Sequence, residues 1–282
     1  DGIRDFCLSR GLGDVYKRQT HIALENNNYL NVEVTGSLDL PKIIFSNSLG
    51  SDLRMWNPQV EAMKSKYCII RYDKRGHGKS SPAQGPYSFD MLENDVIKIM
   101  DDLEIEKANF VGLSMGGMTS LGLALKHHKR FDKLVCCAAR ADMPPPMQDG
   151  WNQRIAVVKE NDTAGVVNGS LERWYSEDFT KDPSNSDVIN LSKEMITNTS
   201  KEGYIGSCEA IKKLDYLKEL STINKEILYI SGEIDMGAPA MAMEEMHHLT
   251  PNSKYECISG AAHILNIECA EKVNNIILDF LN

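Results

Sequence analysis

A hydroxyl becomes a working nucleophile only when a base can take its proton and an acid can hold that base, so serines in unusual settings matter most. One stands out in this 282-residue chain. Ser114 lies in Gly112-Leu-Ser-Met-Gly116, behind the apolar run Phe110 to Leu113, and Gly116 opens a helix-like stretch reaching Leu125. The spacing predicts a strand, a tight turn carrying the serine, and a helix. Glycines two positions either side lack the Cβ that would keep strand and helix apart, and the serine is then held in strained backbone geometry with Oγ outward. The start of the helix aims backbone N–H groups, that of Met115 first, where an oxyanion would develop.

The base and its orienting acid must come from elsewhere, and for a serine on such a turn they follow in the order acid, then histidine. Seven histidines narrow quickly. His21 and His77 precede the serine, while His127, His128, His247 and His248 form adjacent pairs near expected helix ends. His263 remains, in Gly260-Ala-Ala-His-Ile between a strand and the last helix, and is assigned as general base. Asp235, after the strand Ile227 to Ser231, is assigned as the acid, with Glu233 and Asp142 as competitors. A second oxyanion donor is expected in the loop after the strand Lys42 to Phe45. Leu49 N–H is chosen, Ser48 N–H being the alternative. This chemistry requires no metal and no cofactor.

The elements that must position these groups can be taken in order. Thr20 to Leu24 and Tyr29 to Gly36 read as an antiparallel hairpin, and Lys42 to Phe45, Tyr67 to Tyr72, Phe110 to Leu113 and Lys133 to Ala139 as buried strands. Helices are expected over Trp56 to Lys64 and over Phe89 to Leu103, the latter capped by Ser88. Gly76, Gly78 and Lys79 in Asp73-Lys-Arg-Gly-His-Gly-Lys-Ser80 resemble a phosphate cradle, but no helix follows directly; His77 there reads as structural. From Pro144-Pro-Pro to about Tyr216 the alternation stops and a polar helical stretch intervenes, with helices over Trp151 to Glu160, Val166 to Trp174, Val188 to Asn198 and Tyr204 to Lys213. An α/β core over 20–142 and 217–282, with a helical lid over 143–216, is the organisation this implies. The last elements are a strand from Glu226, a helix over Ala240 to Leu249, a strand over Lys254 to Ser259 and a helix over Cys269 to Leu281.

Residues 1–19 carry no hydrophobic period. Back-translation of Asp14 to Gln19 as GAT GTG TAT AAG AGA CAG gives the end sequence of transposase-based sequencing libraries, and Ser9 to Gly13 and Asp1 to Asp5 likewise spell adapter segments. The segment is therefore expected to be a translated adapter, poorly packed and outside the fold. A net charge of −9 argues against general affinity for nucleic acid or anionic membrane. Seven scattered cysteines without paired spacing favour reduced thiols, hence the cytoplasm.

Taken together, Asp73-Lys-Arg-Gly-His-Gly-Lys-Ser80, Gly112-Leu-Ser-Met-Gly-Gly117, Gly232-Glu-Ile-Asp235 and Ala261-Ala-His263 resemble the α/β-hydrolases over Thr20 to Asn282. Within that superfamily Phe45-Ser-Asn-Ser-Leu-Gly50, Ala261 to Glu268, Leu171-Glu-Arg-Trp-Tyr175 and Gly203 to Lys212 are similar to the 3-oxoadipate enol-lactonases. That family commonly has Thr-Pro-Pro after the acid, where this chain has Gly237-Ala-Pro. The resemblance implies a mostly parallel sheet flanked by helices, and hydrolysis of a lactone in aromatic catabolism through a Ser-His-Asp triad. It also implies a substrate that carries a carboxylate, for which Arg140 on the way into the lid, with Trp151 and Arg154 on its first helix, are the candidate partners. A general carboxylesterase, a carbon–carbon bond hydrolase and a hydrolase-like ligand receptor are the alternatives.

Overall fold

Short runs rich in β-branched and aromatic residues, separated by turn residues, become the eight strands of one sheet in the computed structural model, which describes residues 17–282. They are β1 (Lys17–Ala23), β2 (Tyr29–Thr35), β3 (Lys42–Ser46), β4 (Cys68–Tyr72), β5 (Ala108–Leu113), β6 (Phe131–Cys137), β7 (Ile227–Gly232) and β8 (Ser253–Ile258). Their order is β1-β2-β4-β3-β5-β6-β7-β8, antiparallel at the two β2 pairings and parallel elsewhere. β3 to β7 are buried almost throughout, which is why they read as continuous apolar runs rather than alternating ones. Because β5 lies between β3 and β6, the residue after it emerges at the middle of the sheet's C-terminal edge. In open parallel sheets that edge is where ligands bind.

Three helices cover the first half: α1 (Asn57–Met63), α2 (Phe89–Asp102) and α3 (Met115–Lys126). Ser88 Oγ accepts from Met91 N at 3.2 Å and so caps α2 as expected. Every residue of α3 from Met115 to Ala124 is buried, so this helix forms part of the core rather than its surface. The helical insertion then supplies α4 (Pro145–Asn161), α5 (Val167–Trp174), α6 (Glu177–Lys181), α7 (Ser186–Thr197) and α8 (Lys201–Lys212). Its two ends are joined: Met143 N donates to Leu214 O at 3.0 Å and Tyr216 N to Ala141 O at 2.7 Å. The chain thus leaves the sheet and returns to it at one neck. α9 (Ala240–Leu249), α10 (Leu265–Glu268) and α11 (Ala270–Leu281) complete the fold. Among the described residues no helix is long and apolar enough to cross a membrane, and Cys68, Cys136, Cys137, Cys208, Cys257 and Cys269 are free thiols.

Two expectations need adjustment. Residues 1–16 of the proposed adapter lie outside the described residues, but Lys17, Arg18 and Gln19 extend β1 opposite Thr35, Val34 and Glu33. A backbone ladder asks little of the side chains it joins, so an open edge next to β2 can recruit whatever sequence precedes Thr20. The short helices α6 and α10 were not foreseen, because five and four residues are too few to show a helical period.

The insertion is fastened to the core by glycines. A Cβ on Gly203 of α8 would lie 2.5 Å from the Cα and O of Gly76, and Ser200 N donates to Gly76 O at 2.8 Å. Helix and loop touch backbone to backbone. Gly203→Ala is therefore expected to lower stability by about 2 kcal/mol, overpacking outweighing the roughly 1 kcal/mol gained in helix propensity. A drop of about 4 °C in the melting temperature checks it.

Candidate active site

Ser114 sits where the turn was expected, with φ 55 and ψ −113, between the end of β5 and the first residue of α3. Strain of this kind is kept only where the surroundings enforce it, and Ser114 N is tied to Cys137 O at 2.8 Å. The flanking glycines are sterically required. A Cβ on Gly112 would lie 2.0 Å from Gly116 O, and one on Gly116 would lie 2.1 Å from Ser46 O. Neither can be accommodated without moving the backbone.

The imidazole of His263, in the loop after β8, has Nδ1 at 2.7 Å from Asp235 Oδ2, in the loop after β7. Asp235 is 4% exposed, and its other oxygen accepts from Gly237 N at 2.7 Å and Ala238 N at 3.1 Å. A carboxylate so bonded is fixed in place, and it holds the ring with Nε2 free of any protein partner among the described residues. The competing acids are committed elsewhere. Glu233 accepts from Ser259 Oγ at 2.6 Å and Gly260 N at 2.8 Å, and Asp142 pairs with Arg140 at 3.2 Å. Glu268 supports the histidine loop, accepting from Ala262 N through one oxygen and from Ser176 N of the insertion through the other.

After β3, the loop Asn47 to Ser51 lies beside the serine turn, Gly116 N donating to Asn47 O at 3.1 Å. Ser48 N is engaged with Met55 Sδ at 3.3 Å, whereas Leu49 N meets no protein acceptor among the described residues. Of the two candidate donors only Leu49 is unspent. Met115, first residue of α3, has an N–H that no intrahelical carbonyl can reach.

Leu49, Ser114 and His263 line one cavity of about 270 Å³, and Arg140, Trp151 and Arg154 line it as well. Its size is below the roughly 300–1,000 Å³ of sites for drug-sized ligands, so the occupant is small. The lining includes three arginines, the third being Arg173 from the last turn of α5, and not one carboxylate. Arg140 is paired with Asp142, but Arg154 stacks on the Trp151 ring at 4.3 Å and Arg173 donates to Ser170 Oγ at 3.3 Å, neither having a carboxylate partner among the described residues. Burial, with the neighbouring Arg154 adding to it, pushes the Arg173 guanidinium below the usual arginine range. Two cations held close together and unneutralised leave a site in want of an anion. No cluster of three potential metal ligands occurs among the described residues.

Residues 41–270 match the model of the alpha/beta hydrolase fold family. The chain is 36% identical over 252 residues to 3-oxoadipate enol-lactonase 1 of Acinetobacter baylyi, covering 89% of this chain and 92% of that one. Identity to 3-oxoadipate enol-lactonase 2 of the same organism is 33%, covering 88% and 91%. The crystal structure of an enol-lactonase from Burkholderia xenovorans superposes with a TM-score of 0.86 at 35% identity, covering 91% of this chain and 97% of the other. The chain belongs to the α/β-hydrolase family. It is an ester-hydrolysing enzyme of that family, and Leu49, Ser114, Asp235 and His263 lie on loops that follow β3, β5, β7 and β8.

Two features of this α/β-hydrolase go beyond the sequence reading. Gly237-Ala238 stands where Thr-Pro was the pattern, and both of its N–H groups donate to Asp235, a bond a proline could not make. Arg173 was overlooked, since a basic residue in the last turn of a helix is ordinarily explained by the helix dipole. Its one signal was position, inside the lid segment Leu171 to Tyr175. His77 is fully buried with Nδ1 at 2.9 Å from Arg75 O, and burial pushes it down to about 3, so it serves the loop's structure.

Proposed function

We propose that this enzyme opens 3-oxoadipate enol-lactone to 3-oxoadipate through an acyl-enzyme on Ser114. The observation that carries the reading is the lining of the cavity that holds Ser114, with two arginines outside any ion pair among the described residues and no carboxylate. The names of the relatives support the lactone, and the arginines suit its side-chain carboxylate. His263 Nε2 takes the Ser114 proton while Nδ1–H stays on Asp235, and Oγ attacks the lactone carbonyl. The oxyanion is held by Leu49 N–H and Met115 N–H, each worth roughly 3–4 kcal/mol in comparable sites. Collapse breaks the bond to the ring oxygen. The leaving enolate is a weak base and needs little help from the imidazolium, which returns its proton to the departing group. Water then enters, His263 deprotonates it, and the acyl bond to Ser114 is cleaved to give the linear dicarboxylate. Its enol reverts to the ketone.

The helical insertion acts as a lid that supplies Trp151, Arg154 and Arg173 and so selects the substrate. Arg173→Met is expected to raise KM for the enol-lactone by about 10- to 100-fold, the loss of one charge-assisted hydrogen bond pair. Turnover of the neutral ester p-nitrophenyl acetate should change less than about twofold, since uniform loss of folding or catalysis is not expected. Equal losses on both substrates favour a general ester hydrolase.

A further inference from the structure

The loop that carries Leu49 rests on a buried lysine for which the mechanism above has no use. Lys74 is 1% exposed, and its Nζ lies 2.5 Å from Asn47 O and 3.1 Å from Ser48 O. No carboxylate lies within ion-pairing distance of it among the described residues, so two backbone carbonyls are its whole hydrogen-bonded environment. Such a cation is expensive to bury and is kept only where something depends on it. We propose that Lys74 is a positioning residue for the oxyanion site, gripping the Ser48 carbonyl so that the Leu49 N–H is presented to the cavity.

In a planar trans peptide the N–H and C=O point in opposite directions, and Gly85-Pro86 is the only cis bond among the described residues. An ammonium drawing Ser48 O into the core therefore turns Leu49 N–H outward, and Leu49 lines the cavity. Ser51 Oγ shares the same carbonyl at 2.9 Å, and Gly116 N shares that of Asn47 at 3.1 Å. Each carbonyl thus keeps a donor if Lys74 is removed, which lets the fold survive while the peptide loses its one charged restraint. The inference rests on the reading of Ser114 as nucleophile and Leu49 as oxyanion donor.

A positive charge directly behind the oxyanion donor also predicts a pH signature. Burial pushes the Lys74 ammonium down to about 7, and Asp73 beside it pulls the other way. Burial also pushes the Asp73 and Asp95 carboxyls above the usual carboxylate range. His77 stays neutral, Asp73 is occupied by Leu53 N, Lys79 N and Asn31 Nδ2, Asp52 is paired with Arg54, and Asp95 of α2 is paired with Arg75. Residues Asn47 to Ser51 of the loop after β3, two of whose carbonyls Lys74 holds, carry no charge, Asp52 with its Arg54 partner lying just beyond them. As pH rises through about 7 the ammonium loses its charge, the grip on Ser48 O weakens, and oxyanion stabilisation should decline.

The test follows covalent labelling of Ser114 by the neutral phosphate triester diethyl p-nitrophenyl phosphate from pH 5.5 to 9, in the full chain and in Lys74→Met and Lys74→Gln. Expected are rates about 10- to 100-fold lower for Lys74→Met at pH 6.5, partial recovery in Lys74→Gln, and an alkaline decline that only the wild type shows. Melting temperatures should stay within about 5 °C of wild type. Variants that label at the wild-type rate with the wild-type pH profile overturn the role of Lys74 alone. Variants whose labelling falls only in step with melting temperature overturn it too, in favour of a structural part. A wild type that never labels at Ser114 overturns the nucleophile assignment, and this inference with it.

Discussion

Ser114→Ala is expected to lower kcat/KM on the enol-lactone by about 10⁵- to 10⁶-fold, the scale seen when a triad nucleophile is removed. The variant should fold as the wild type does. Ser114 Oγ has no hydrogen-bond partner among the described residues, and the turn is set by Ser114 N on Cys137 O and by the close contacts of Gly112 and Gly116. Alanine meets the same φ of 55 with no larger side chain. Steady-state kinetics together with a melting temperature unchanged within about 2 °C check the prediction. The same variant separates enzyme from receptor. Loss of turnover with unaltered biological output would place the function in binding.

Asp235→Asn is expected to cost about 10⁴-fold in kcat, with KM nearly unchanged. An amide can keep the shape of the acid loop by accepting from Gly237 N and Ala238 N through its oxygen, but it then turns an NH₂ group toward His263 Nδ1. The ring must answer with the other tautomer, whose Nε2 carries a proton and cannot accept one from Ser114. The imidazolium formed during attack also loses its counter-charge. Glu233→Gln is the control. Its carboxylate holds Ser259 and Gly260 rather than the histidine, so kcat should fall less than about threefold while the β8 loop loosens slightly. A large effect at 233 with a small one at 235 would reverse the assignment of the acid.

How far the sequence could be read depended on whether a residue's task was local or tertiary. Ser114 was legible because strand, turn and helix are consecutive and the required glycines are printed beside it. His263 followed by elimination and Asp235 by its place after a strand, both consequences of chain order in a parallel sheet. Leu49 was chosen with Ser48 as the alternative, and what physically separates the two is Met55 Sδ, seven residues from Ser48 and invisible as an acceptor in a string of letters. Arg173 and Lys74 escaped for a related reason. Arginine at a helix end and lysine in a glycine-rich loop are usually solvated, and only packing across the insertion and across β3 reveals that one borders the cavity and the other is buried. Residues 17–19 were read by back-translation as adapter outside the fold, whereas an open sheet edge answers to backbone alone and takes them into β1.

Whether Ser114 and the arginine-lined cavity are matched to an anionic lactone is tested most directly by kcat/KM for freshly generated 3-oxoadipate enol-lactone beside that for p-nitrophenyl acetate. The lactone should be preferred by at least about 100-fold, the equivalent of roughly 3 kcal/mol of carboxylate recognition carried into the transition state. Equal turnover of the two, or cleavage of the acetate with none of the lactone, would contradict it.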